Sequence, residues 1–94
     1  MLVVIADIKL KNGVEQEFKK WFSESNKTLS NLEGFVSRRL LETPDGTHRI
    51  IVEHQNMQTF QAMHDSQEHV KLHSKAVTFM ESPPIPKIYN VVSS

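Results

Sequence analysis

The sequence predicts an α+β fold, a small antiparallel sheet with helices on one side, and three observations lead there. Runs such as Leu2-Val3-Val4-Ile5-Ala6 and Ile50-Ile51-Val52 are apolar without alternation, which marks strands covered on both faces. Between them lie segments with apolar residues three and four apart, the period of a helix with one buried side. Asn12-Gly13 and Pro44-Asp45-Gly46-Thr47 punctuate these elements as turns. A chain of 94 residues is a single domain, residues 1–94.

The elements follow in order. Residues 2–10 form a first strand, with Val3 and Ile5 on one face and Val4, Ala6, Ile8 and Leu10 on the other. Asn12, with Glu15 three residues on, is an approximate capping box for a helix. Val14, Phe18, Trp21, Phe22, Ser25, Leu29 and Leu32 hold one face of that helix, and Gly34 stops it. Phe35–Thr43 and His48–His54 read as a hairpin about the Pro44–Thr47 turn. Asn56 caps a short helix through Met57, Phe60 and Met63, and Ser66 caps another over roughly 67–80. Ser82-Pro83-Pro84-Ile85-Pro86 is a stiff connector, and Lys87–Val92 is the last strand.

This β-α-β-β-α-β order is the ferredoxin-like arrangement of a four-stranded antiparallel sheet. Its helices cover one sheet face, yet the strands carry apolar residues on the second. An apolar face left open marks an interface, so the expectation is a homodimer paired sheet face to sheet face.

Composition narrows the function. Eleven basic and eleven acidic side chains cancel, so no bulk charge draws nucleic acid or an anionic membrane. The absence of cysteine excludes disulfides, thiolate metal sites and cysteine nucleophiles. No apolar run approaches the length of a membrane span, and the N-terminus lacks the basic flank of a signal peptide, so a cytoplasmic protein is expected.

Several residues are candidates for chemistry. Asp7 sits amid apolar neighbours; facing the helices, it would be a cavity carboxylate with a raised pKa, and otherwise a solvent-reaching or ion-paired strand-end residue. His73 lies in the apolar stripe of the last helix, as a core histidine or a ligand. His69 and His73 are four apart with His64 nearby, which is metal-ligand spacing without a completing acid. Phe18, Trp21 and Phe22 read as core. Phe60, Met63, Phe79 and Met80 suit either an adaptable pocket for a small apolar or planar aromatic ligand or plain core. Arg38, Arg39 and Arg49 are placed on the hairpin to hold a carboxylate or to form solvated charge pairs.

Across its whole length the chain resembles the antibiotic biosynthesis monooxygenase superfamily of dimeric α+β barrels. The resemblance is carried by Leu32-Glu33-Gly34-Phe35, by the hairpin to Val52-Glu53-His54, by Gln58-Thr59-Phe60, and by the helix with His69 and His73. Members commonly have Trp where this chain has His54. The spacing is most like the haem-degrading branch, whose strand Asn, helix Trp and iron-ligating His fall on Asp7, Met63 and His73. The resemblance thus implies a monooxygenase-type homodimer, with haem as a cofactor on His73 and Arg38 and Arg39 at its propionates. Within the same superfamily a second reading is a cofactor-independent monooxygenase of phenols or quinols with Asp7 as base. A third is a non-enzymatic, ligand-binding dimer.

Overall fold

A computed structural model describes residues 1–94. The strands are β1 (Leu2–Ile8), β2 (Phe35–Glu42), β3 (His48–His54) and β4 (Ile85–Asn90). The helices are α1 (Glu15–Leu29), α2 (Met57–His64) and α3 (Gln67–Ala76), the last running into a 3-10 turn at Val77–Phe79. The sheet order is β2-β3-β1-β4, antiparallel throughout. This is the expected ferredoxin-like α+β fold.

Register sorts the side chains. Residues opposite one another in an antiparallel pair share a face. On the helix side the rows are Arg38–Val52–Val4–Ile88 and Leu40–Ile50–Ala6–Pro86, flanked by Phe35–His54–Leu2–Asn90 and Glu42–His48–Ile8. On the open side they are Ser37–Glu53–Val3–Tyr89, Arg39–Ile51–Ile5–Lys87 and Leu41–Arg49–Asp7–Ile85.

The helix side holds the core in two clusters. Ile8, Phe18, Phe22, Ala76, Phe79 and Met80 form one. Phe79 stands edge-on to Phe18, ring centres 5.4 Å apart, so the first helix and the end of the last are locked by aromatic contact. Leu2, Val4, Leu29, Phe60 and Met63 form the other. Phe18, Phe22, Phe60, Met63, Phe79 and Met80 are therefore plain core, and the pocket reading of the last four gives way.

Boundaries differ from expectation at the start of α1 and at the start of β4, each for a local reason. Asn12 does not cap α1: Gly13 turns the chain at φ +81°, and Val14 takes the cap position without a side-chain bond. Asn56 and Ser66 do cap α2 and α3, accepting from the amides of Thr59 and His69. β4 begins at Ile85 rather than Lys87, because an edge strand tolerates Pro86.

Gly34 is required where α1 gives way to β2. It has φ +80°, and a Cβ there would run into the side chain of Thr59. Gly34→Ala should therefore destabilise the protein by roughly 2–4 kcal/mol, from left-handed strain and overpacking together. Urea denaturation of the two proteins measures this; equal midpoints would refute it.

Candidate functional site

Two of the three residues expected to meet in one pocket lie outside the helix–sheet layer. Asp7 is on the open sheet face, three-quarters exposed, with Oδ1 2.6 Å from Nε of Arg49. It is not a cavity carboxylate, and its partner is the arginine directly opposite on β3. Met63 is closed in the second core cluster. His73 is exposed on α3, its ring stacked on His69 with centres 6.0 Å apart and 15° between planes. Met63 is sealed from solvent, His73 lies on the outer side of α3 and Asp7 is across the sheet, so the three side chains do not meet in one cavity.

His64, His69 and His73 form a row rather than a metal centre. His64 and His69 are 4.8 Å apart, tilted by 33°, so the rings stack where ligands would converge. No group of three or more acidic, histidine or cysteine side chains is arranged to hold a metal ion. His69 is pushed down to about 4, first by burial and then by the charges of His64, His73 and Arg38.

His54, where family members commonly carry Trp, is fully buried between Phe35 and Phe60 at ring distances of 6.1 and 5.8 Å. Thr59 gives its hydroxyl hydrogen to the carbonyl of Asn56, at 3.1 Å. The network therefore puts a proton on His54 Nδ1, which donates to Thr59 Oγ1 at 2.9 Å. Nε2 is left as a bare acceptor with no partner. Burial holds this imidazole below its ordinary range. His48 is also buried, its Nε2 3.2 Å from Glu42 Oε1 but out of line for a hydrogen bond.

A cleft of about 450 Å³ opens between α1 and β2, with Phe22, Leu40 and Leu41 as its apolar part and Lys19, Ser23, Asn26 and Arg38 among its polar lining. Arg38 is on the helix side and enters this cleft. Nη1 donates to Ser25 Oγ at 2.7 Å and to Asn26 Oδ1 at 2.8 Å, and the guanidinium carbon lies 4.0 Å over the Phe22 ring. Burial lowers its pKa to about 10, so it stays charged at neutral pH. Arg39 is on the other face, paired with Glu53 at 3.0 Å. Of the two arginines expected to act together, only Arg38 is placed with its head in the helix–sheet layer. A second groove of about 760 Å³ runs from Asp7 and Lys9 past Asn12 and Glu15 to the β2–β3 turn.

A ferredoxin-like sheet with helices on one face and a partly apolar cleft at its edge defines a small α+β domain. The family model for antibiotic biosynthesis monooxygenases matches residues 1–75, and the chain belongs to that family. Solved structures with the same fold include SnoaB of Streptomyces nogalater, described as a cofactor-independent oxygenase, at 13% identity and TM-score 0.86 over 99% of this chain and 94% of that one. Rv0793 of Mycobacterium tuberculosis follows at 12% identity and TM-score 0.84, over 99% and 96%. A conserved protein of Methanosarcina mazei Go1 has 13% identity and TM-score 0.84, over 95% and 90%. No curated protein sequence matches. No helix is long and apolar enough to cross a membrane.

The buried imidazoles make stability pH-dependent. The folded pKa values of His54 and His69 lie below the unfolded value near 6.5. The unfolded chain therefore binds more protons below that point, and stability rises with pH. For His69 the contribution is complete above about pH 6.5 and is lost as pH falls toward about 4; for His54 it is likewise complete above about pH 6.5 and declines below it. Urea midpoints between pH 7.5 and 4.5 should fall accordingly, and the slope should flatten in His54→Gln/His69→Gln. An unchanged slope in that variant would overturn the assignment.

Proposed function

We propose that the chain is a cofactor-independent monooxygenase that works as a homodimer on a planar phenolic or quinol substrate. The observation that carries the reading is the α1–β2 cleft. Its apolar part is made of Phe22, Leu40 and Leu41, and its volume of about 450 Å³ is enough for a fused aromatic ring system. SnoaB, an oxygenase described as cofactor-independent, has the same fold. Asp7, Met63 and His73 sit apart, which favours chemistry that does not route through a haem.

The reaction in this reading draws its electrons from the substrate. A phenol and O2 give a quinone and water: one oxygen atom enters the ring, the ring C–H and the O–H are lost as protons with the electrons that reduce the second oxygen to water. The protein holds the ring and favours its deprotonated form. Asp7 is turned away from the cleft and ion-paired, so the phenolic proton passes to water at the open mouth rather than to that carboxylate.

The dimer belongs to the same reading. The open sheet face carries Val3, Ile5, Leu41, Ile51, Ile85 and Tyr89, and Ile85 is 80% exposed. Four of the charged residues around them are matched within the face, as Asp7–Arg49 and Arg39–Glu53, while Lys87 on the outer strand β4 has no ion-pair partner. The self-paired charges leave the apolar residues to dock against a second copy, with Lys87 on the edge strand reaching solvent at the rim of the contact.

Two measurements check this function. Without added cofactor, purified protein should consume oxygen with polycyclic phenols and release the quinone; a Soret shift on haemin titration that His73→Ala abolishes would replace it with a haem enzyme. Sedimentation at micromolar concentration should give a dimer, and Ile5→Lys, at the middle of the open face, should give a folded monomer. A wild-type monomer would refute the sheet-face assembly.

A further inference from the structure

We infer that Arg38 makes the α1–β2 cleft an anion site, selective for planar aromatic monoanions such as an aromatic carboxylate or a phenolate. The inference rests on the cleft being the place where substrate binds, and it adds the chemical class that the cleft accepts.

The chain has three arginines. Arg39 pairs with Glu53 and Arg49 with Asp7, each through a short contact on the open face. Arg38 has no carboxylate partner, although it is the one held in the helix–sheet layer. A guanidinium taken out of water is costly unless its donors and charge are met. Here only Nη1 is engaged, and both its acceptors are neutral, the hydroxyl of Ser25 and the amide oxygen of Asn26.

Those two bonds also fix the fork. Ser25 gives its own hydrogen to the carbonyl of Phe22 at 2.7 Å, so its oxygen is committed as an acceptor toward Arg38. Asn26 gives its amide hydrogen to the carbonyl of Arg38 at 2.7 Å, which orients its oxygen the same way. Phe22 lies beneath the guanidinium plane at 4.0 Å. Every neighbour is thus spoken for in a way that leaves Nε and Nη2, with three N–H donors between them, without a protein acceptor.

Nε and Nη2 present two parallel donors, the spacing that a carboxylate takes bidentately; a phenolate takes one or both. Leu40, on the helix side of β2, supplies apolar contact for the ring attached to it, beside the edge of Phe22 that lines the cleft. Lys19 and Glu42 also line the cleft; they pair with each other at 3.4 Å through part-exposed side chains, so together they add little net charge beside Arg38. For a phenol, an unmatched guanidinium lowers the cost of ionisation, the state from which electrons reach oxygen.

The test uses binding, which does not depend on turnover. Isothermal titration of the wild-type dimer or monomer with 2-naphthoate and with neutral 2-naphthamide should show the anion bound about tenfold or more tightly. Arg38→Met should remove that preference, while Arg38→Lys, which keeps charge but not the fork, should retain part of it. Naphthoate and naphthamide binding equally well to wild type would overturn the anion selectivity and leave the cleft as a substrate site. Neither binding would overturn both. Should Arg38→Met fail to fold, the wild-type comparison alone decides.

Discussion

β1 is the constraint on which the rest of the molecule depends. It is an inner strand, paired on both edges, and its alternation assigns every residue of the sheet to one side or the other. Leu2, Val4 and Ile8 are buried beneath the helices. Val3, Ile5 and Asp7 consequently define the opposite face, and β3 and β4 inherit the division through their register. A slip of one residue would exchange the core with the open face, so the burial of α1 on Ile8 and of α2 on Val4 is what fixes the phase.

Within the helix–sheet layer, polar groups sit among the apolar clusters rather than around them. Ser25, Asn26 and Arg38 tie α1 to β2 by side-chain bonds to one another and to backbone. Thr59, Asn56 and His54 tie α2 to the end of β3, and Gly34 lets the chain pass close over Thr59. Each network fixes a helix to a strand at a single position. They differ in what is left over: His54 leaves a bare acceptor in a sealed place, whereas Arg38 leaves donors beside a cleft. Only the second is open to an outside molecule.

The element order, hairpin, capping residues of α2 and α3 and the fold class were legible, because turn residues and apolar periods are local signals. For Asp7 the sequence leaves two places open, a cavity or an ion-paired strand end, because its apolar neighbours suit either; parity with Val3 and Ile5 puts it on their face, paired with Arg49. Arg38 and Arg39 look equivalent in sequence; adjacency in a strand sends them to opposite sides, and only one reaches the cleft. Ser25 reads as a polar interruption of the α1 stripe, and nothing local reveals that it faces a guanidinium 13 positions away. His54 stands out only as a polar residue in an apolar strand, and its partner Thr59 is set by how α2 folds back.

The two outer strands remain. β4 carries Pro86, which has no amide hydrogen to offer, followed by Lys87. On β2, the carbonyl of Arg38 is already occupied by the side chain of Asn26. Neither margin is a clean template for another strand. Growth by strand addition, the route to filaments, is thereby discouraged at both ends of the sheet, and the proposed face-to-face dimer, closed about a two-fold axis, would use neither margin.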